Sequence, residues 1–168
     1  ERFSLLLDDN GIPDFWTTLY ITTHVRSAKH DTMRSHLSHL MHFKVWEELQ
    51  SESIQDRILR RYNEAADGYW GFSTPLFITV EEAQAIGRHC KLTTKAARKF
   101  TKAKKTKNVI SLQAALPASR IADPVVSVFQ HRNRLAVVAK YVEFVAQSIL
   151  RKCKYYADCV SPIESMKN

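Results

Sequence analysis

Five apolar residues near the end of the chain repeat at alternating spacings of three and four, and this pattern limits the fold more than any other feature of the sequence. Because an α-helix has about 3.6 residues per turn, residues spaced in this way lie along one of its sides. The spacing therefore predicts a long helix that packs against a hydrophobic core. The five residues are Leu135, Val138, Val142, Val145 and Ile149.

The first two predicted helices flank a short basic turn. Pro13 and Asp14 suit the first turn of the first helix, because proline lacks an amide hydrogen and a carboxylate is favoured at the positive end of the helix dipole. Asp31 or Thr32 is predicted to cap the second helix, which runs to about Leu49. Its apolar residues point in two directions, so we expect this helix to be central to the fold. They are Met33, Leu37, Leu40, Met41, Phe43 and Trp46.

Two shorter helices are predicted between the second helix and the last. One runs from Ile54 to Tyr62, where apolar residues recur at helical spacing. The other starts at Thr79 with a capping box, in which the hydroxyl and the Glu82 carboxylate each accept a hydrogen bond from the other residue's amide. We expect a predominantly α fold, a bundle of about five or six helices with at most one short β-element near the N-terminus.

The length and composition fit one soluble domain. The chain has 168 residues and no run of apolar residues long enough to span a membrane. We expect residues 1–168 to form a single helical domain in the cytoplasm, without membrane contact, as a fragment of a larger protein, since the chain does not begin with Met. Cys90, Cys153 and Cys159 form no CxxC pair, which indicates free thiols in a reducing compartment.

A stretch of high positive charge is the most informative feature for function. Residues 91–107 hold eight Lys or Arg and no acid, and the whole chain carries a net charge of +8. Such a density favours nucleic acid, because bound cations displace counterions from phosphates. The predicted DNA-binding residues of this stretch are Lys91, Lys95, Arg98, Lys99, Lys102, Lys104, Lys105 and Lys107.

The same stretch has little apolar character. Leu92 and Phe100 are its large apolar residues, so we expect residues 91–108 to form a basic insertion without a continuous core face. Part of it is predicted to be helical from Thr93 or Thr94 onward, and its end, from Lys102 to Asn108, to be exposed and mobile. A solvated loop between helices, without a binding role, is the alternative interpretation.

A second basic set flanks the predicted start of the second helix. Helix starts with free amide hydrogens and nearby cations suit phosphate oxygens, and side chains there also reach base edges. Ordinary surface charge is the alternative. The predicted DNA-binding residues of this set are Arg26, Lys29, His30, Thr32 and Arg34.

No motif for catalysis or cofactor binding is present in the sequence. It has no glycine-rich phosphate loop, HExxH or EF-hand pattern. His36, His39 and His42 come nearest to a metal site, but the first and last are too far apart for one ion, and no clustered acid or Cys completes the set. We expect these histidines to form a polar helix face near phosphates. We expect no bound metal, no cofactor and no catalytic residue in this chain.

The order of helices and several residue patterns resemble a known family. Residues Phe15 to Arg26, then Lys29 to Met33 and the Leu-rich segment up to Trp46, are similar to the core-binding domain of phage-integrase family tyrosine recombinases. Phe77 to Ala83 is similar to the family's threonine-capped helix, and Arg132 to Val145 resembles its closing helix. The resemblance implies a SAM-like helical domain that clamps double-stranded DNA at a recombination site, with self-association on that DNA.

The resemblance also implies that cleavage of DNA belongs to a separate catalytic domain with a tyrosine nucleophile. His131 and Arg134 match the family's short HxxR element, but they fall at the start of a core helix and lack the accompanying motifs, so we expect no catalytic role for them. The alternative function is a helical protein-interaction or RNA-binding module, whose basic face meets an acidic protein or an RNA.

Overall fold

The computed structural model describes residues 4–7, 10–66, 77–105 and 125–150, together with Ile163 and Met166. The described part contains no β-strand, and Leu7 and Pro13 form an isolated bridge where the sequence allowed one short β-element. No described helix is both long and apolar enough to cross a bilayer. The predominantly α fold is confirmed, with six described helices: α1 (Phe15–His24), α2 (His30–Gln50), α3 (Ile54–Ala66), α4 (Val80–Cys90), α5 (Thr94–Lys105) and α6 (Val128–Leu150).

Helix α1 begins one residue after a carboxylate that caps it. The Asp14 Oδ1 atom accepts a hydrogen bond from the Thr17 amide at 2.8 Å, which satisfies one of the free donors of the first turn. Pro13 lies before the cap, in the bridge with Leu7. The prediction that Pro13 belongs to the first turn was therefore wrong, because the cap position is taken by Asp14.

Helix α2 begins earlier than the sequence predicted. Lys29 occupies the N-cap position and makes no side-chain capping hydrogen bond. The Met33 amide already donates to the Lys29 oxygen at 3.1 Å, so Asp31 and Thr32 lie inside the first turn. The prediction that one of these two residues caps the helix was wrong, and the first amides of α2 have no side-chain cap.

Helix α2 is the centre of the bundle and contacts α1, α4, α5 and α6. Met33, Leu37 and Leu40 are buried, as their spacing predicted. Phe43 and Trp46 are also buried, on other sides of the helix. The prediction of a central helix with apolar residues in two directions is confirmed.

One carboxylate joins the start of α4 to α3. The predicted capping box is confirmed, since Thr79 Oγ1 accepts from the Glu82 amide at 3.2 Å and Glu82 Oε2 accepts from the Thr79 amide at 2.8 Å. Arg61 donates to both Glu82 oxygens at 2.7 and 2.8 Å, and Arg57 donates to Oε1 at 2.6 Å. Glu82 therefore both caps α4 and holds two cations of α3 against it.

Helix α6 closes the core from the other end of the chain. Val138, Val142 and Val145 are fully buried, and Leu135 and Ile149 are partly buried against the core, as their spacing predicted. These residues form one apolar stripe that packs on the core. The prediction of a long core-packing helix is confirmed.

Aromatic rings join α6 to α1 and α2. The Tyr141 ring meets the Tyr20 ring at a centroid distance of 5.6 Å and the Phe43 ring at 6.0 Å, both edge to face. Trp16 meets Phe144 in the same way at 6.4 Å. Edge-to-face pairs add to the stabilisation from burial, so the contact of the first helix with the last is a central part of the core.

Candidate nucleic-acid interface

The basic stretch that follows α4 is a helix packed on α2. Ala96 and Ala97 of α5 are buried, and α5 contacts α2 more extensively than any other helix. The sequence predicted no continuous core face in this stretch and did not predict this contact. Alanine side chains are small enough to let two helices approach closely, so this contact needs no large apolar residue.

The cations of α5 lie opposite its alanine contact. Lys95, Arg98 and Lys99 are exposed, and their spacing of three and four places them on one side of the helix. Lys91, just before α5, is exposed as well. We refer to Lys91, Lys95, Arg98 and Lys99 as the α5 basic face. Helix α5 has no acid, and within the described part of the chain its basic face forms no ion pair.

The remaining predicted contacts of the basic stretch are described in less detail. Lys102, Lys104 and Lys105 belong to the last turns of α5, which extends helical structure further than the sequence predicted. Their side chains lie outside the described part, as do Lys107 and Asn108 altogether. Their role in binding stays a prediction.

The second predicted basic set lies where α1 turns into α2. All five of its residues are exposed: Arg26, Lys29, His30, Thr32 and Arg34. Thr32 differs from the others in its surroundings, because it lines a groove between α2 and α6. We therefore refer to the four remaining residues as the α2-start set.

One cation of each basic set lies on the same side of α2: Arg34 of the α2-start set and Arg98 of the α5 basic face. The Arg98 Nη2 atom lies 3.9 Å from the Met41 Sδ atom, which fixes where α5 crosses α2. Met41 follows Arg34 by two helical turns, so both residues point to the same side of α2, about 10 Å apart along its axis. That separation is close to the width of the major groove of B-DNA, about 12 Å. Arg34 and the Arg98 guanidinium are therefore spaced along α2 by a distance comparable with that groove.

A groove with several polar side chains runs along another side of α2. Two adjoining cavities of about 420 and 460 Å³ share Thr32 and His36, and they lie between α2, α6 and the end of α1. His36 and His39 are half-buried in it. Burial and the nearby Lys140 charge lower the pKa of His36, and burial together with the Arg134 charge lowers the pKa of His39 to about 4.

The third histidine of the series is in the core, so the prediction of one polar histidine face was wrong. His42 is fully buried, and its ring lies 4.5 Å from that of His89 of α4. The Nε2 atom of each ring lies 3.1 Å from the other residue's backbone oxygen, which assigns the proton of both neutral rings to Nε2. Burial, with a contribution from the Arg134 charge, lowers the pKa of His42 to about 4. No group of metal-ligating side chains is assembled among the described residues.

The HxxR pair of the sequence binds backbone oxygens at the end of α4. His131 Nε2 lies 3.2 Å from the Gly87 oxygen, and Arg134 Nη1 donates to the Cys90 oxygen at 3.0 Å. The Arg134 side chain is buried, with 4% of its surface exposed. It cannot reach a bound phosphate in this conformation.

Burial also raises the pKa of the Cys90 thiol to about 12, so this cysteine is an inert core residue.

Sequence reasoning missed the link between Arg134, His42 and His89. These residues belong to three different helices, and Arg134 and His42 are 92 positions apart. No periodicity in the sequence predicts such a contact.

Comparisons with protein-family models, with curated proteins and with solved structures found no match.

Proposed function

We propose that this chain binds double-stranded DNA as the core-binding-type domain of a site-specific tyrosine recombinase. The observation that carries this proposal is that Arg34 and Arg98, exposed cations from the two basic sets, lie on one side of α2, with Arg98 of α5 resting on Met41. Cleavage and rejoining of DNA would belong to a separate catalytic domain, and self-association would occur on the bound DNA.

The packing of α5 suits the neutralisation of phosphates. Its alanine side is buried on α2, so its cations are carried by an ordered helix. Cations that are already ordered lose little conformational entropy when they meet a phosphate. Their contribution is independent of base sequence and decreases with salt, because it comes from the release of counterions.

The start of α2 adds a second kind of contact. Its first amides have no side-chain cap, and Lys29, His30 and Arg34 are exposed around them. Free amide hydrogens at a helix start, together with cations, favour phosphate oxygens. An exposed Arg34 one turn into the helix also has the length and the paired donors needed to contact a guanine edge in the major groove.

The likeness of the sequence to recombinase core-binding domains supports the wider assignment. The basic turn between α1 and α2, the threonine-capped α4 and the closing α6 follow the order of helices in that family. Of the parts of this proposal, DNA binding can be tested with this chain alone.

Changing Lys95 and Lys99 to Gln is expected to weaken duplex binding at every salt concentration. Each lost phosphate contact lowers the slope of log affinity against log salt by about 0.9, so we expect the slope to fall by up to about 2 units. The effect should be the same for duplexes of unrelated sequence. Fluorescence anisotropy with short duplexes over a salt series measures both quantities.

The control variant changes the net charge by the same amount at a different place. Asn63→Asp with Gln84→Glu adds two negative charges at exposed positions of α3 and α4. Its affinity and slope should stay close to those of the wild type. Equal losses in both variants would show that only net charge matters. Tight binding of an acidic protein or of single-stranded RNA, without duplex affinity, would refute the proposal in favour of an interaction module.

A further inference from the structure

The buried guanidinium of Arg134 holds the connection between α4 and α5. Its Nη1 atom donates to the Cys90 oxygen at 3.0 Å and to the Leu92 oxygen at 2.7 Å. These two carbonyl oxygens use both hydrogens of Nη1. The same atom lies 3.0 Å from His42 Nε2, which already carries a proton directed at the His89 oxygen. Arg134 therefore packs against α2 and binds the chain just before α5 begins.

Two further contacts from the start of α6 bind the same region. The Val126 amide donates to the Lys91 oxygen at 2.8 Å, and His131 Nε2 lies 3.2 Å from the Gly87 oxygen. Together with Arg134, these groups bind the backbone from the last turn of α4 to the second residue after it. The start of α6 thus forms a brace around the point where the chain turns into α5.

The charge of Arg134 is balanced by a helix end. Within the described part of the chain, its guanidinium makes hydrogen bonds to carbonyl oxygens and forms no ion pair. The end of α4 carries a partial negative charge, because its last carbonyls have no amide partner inside the helix. The buried charge of Arg134 is stabilised by the carbonyl oxygens at the end of α4. The position of Arg134 is therefore linked to the α4–α5 connection.

We propose that Arg134 is a positioning residue for the α5 basic face. It fixes Cys90 and Leu92, and α5 begins two residues after Leu92. The direction in which α5 carries Lys95, Arg98 and Lys99 to a duplex therefore depends on this brace. The inference rests on the proposed DNA binding for its consequence, whereas the brace itself is testable without DNA.

The proposal separates two effects on DNA binding. A residue that contacts phosphate changes the salt dependence when it is removed. A residue that only positions the binding helix changes the fraction of molecules in the binding-competent state, which lowers affinity by that fraction and leaves the contacts unchanged. Arg134 should therefore affect affinity without affecting the slope against salt.

The test compares Arg134→Met and Arg134→Lys with the matched control Arg132→Met. Arg132 lies on the same helix two residues earlier and is exposed. Arg134→Met removes all donors to the two carbonyls, whereas Arg134→Lys keeps the charge with a shorter side chain and keeps the test possible if the Met variant fails to fold. Amide hydrogen exchange of each helix is measured first without DNA.

We expect exchange in α5 to become about tenfold faster or more in the Met variant, as the loss of hydrogen bonds from a charged donor implies. The Lys variant should be intermediate. Amides of α2 and α3 should exchange as in the wild type, and Arg132→Met should leave α5 unchanged. Unchanged α5 exchange in both Arg134 variants, or an equal increase in all helices, would overturn the proposal.

Duplex affinity is then measured over the same salt series. We expect the affinity of the Arg134 variants to fall by about threefold to tenfold with an unchanged slope. A slope lowered by about 0.9 would overturn the positioning role in favour of direct phosphate contact. Absence of duplex binding by the wild type would overturn the proposed function, while faster exchange confined to α5 would still support the brace.

Discussion

Shortening Leu37 to Ala is expected to lower the free energy of unfolding by about 2 to 5 kcal/mol, as for other large-to-small changes in protein cores. Leu37 lies on the buried side of α2, with 6% of its surface exposed. The change removes apolar contacts and leaves a cavity next to α2. Because α2 is held by contacts with four other helices, the neighbouring side chains have little freedom to fill that cavity. Urea denaturation followed by circular dichroism measures the loss.

The matched control is Leu59→Ala on α3. Leu59 fitted an apolar helix pattern in the sequence, but 47% of its surface is exposed. The same chemical change there should cost less than about 1 kcal/mol. Val142→Ala, at a fully buried position of α6, should cost less than Leu37→Ala because fewer atoms are removed. Equal losses at Leu37 and Leu59 would contradict the helix faces described above.

Changing Glu82 to Gln is expected to lower the free energy of unfolding by about 2 to 3 kcal/mol, because Arg61 and Arg57 then lose their ion pairs with Glu82 in a partly buried site and Arg57 is left with Glu52. Arg57 and Arg61 retain only 9% and 14% of their side-chain surface in solvent. The side-chain oxygen of Gln still accepts a hydrogen bond from the Thr79 backbone amide, so the capping box itself is largely preserved. The Glu82→Gln variant therefore measures what the ion pairs contribute to stability separately from what the capping box contributes.

The loss should also depend on pH in a defined direction. Burial raises the pKa of Glu82, but hydrogen bonds from Arg61, from the Thr79 amide and from Arg57, together with the Arg61 charge, outweigh it, so the pKa is lowered from its ordinary value of 4.5. A carboxyl with a lowered pKa in the folded state stabilises the fold above its unfolded pKa, and this contribution is lost as the pH falls through the folded pKa.

Unfolding curves at a series of pH values test this sign. The difference between the wild type and Glu82→Gln should be full near neutral pH and should shrink once the pH falls below 4.5. Glu48→Gln is the control, because it removes the same charge from an exposed side chain of α2, away from the capping box. It should change stability little at any pH. A difference for Glu82→Gln that stays constant into acid would show that the carboxylate charge contributes nothing.

The helices with large apolar residues could be predicted from the sequence together with their core packing, whereas α5 could be predicted in its start at Thr93 or Thr94 and not in its packing on α2. The spacing alone predicts α6 from Val138, Val142 and Val145. Ala96 and Ala97 give no comparable signal, because each buries little apolar area, even though both lie against α2. High charge in the same stretch then favoured an exposed insertion, and the short alanine stripe was overlooked.

The cations of the candidate interface could be named from the sequence, and their role in binding stays a prediction, whereas the contacts that position them were not predicted. Charge density identifies the cations of both basic sets without any knowledge of the fold. The buried polar contacts behind them depend on partners from distant parts of the chain, as with Arg134 and His42. The sequence also could not tell that His42 faces the core while His36 and His39 do not, because three histidines at a spacing of three look alike.

The packing of α1 against α6 has a consequence for synthesis on the ribosome. Helix α6 begins about a hundred residues after α1 ends, and ribosomes add about 5 to 20 residues per second, so roughly 5 to 20 s separate the two. During that interval Trp16 and Tyr20 lack the rings of Tyr141 and Phe144. The nascent chain therefore carries these two rings without their α6 partners until α6 emerges, and exposed aromatic surface at this stage favours aggregation and binding by chaperones.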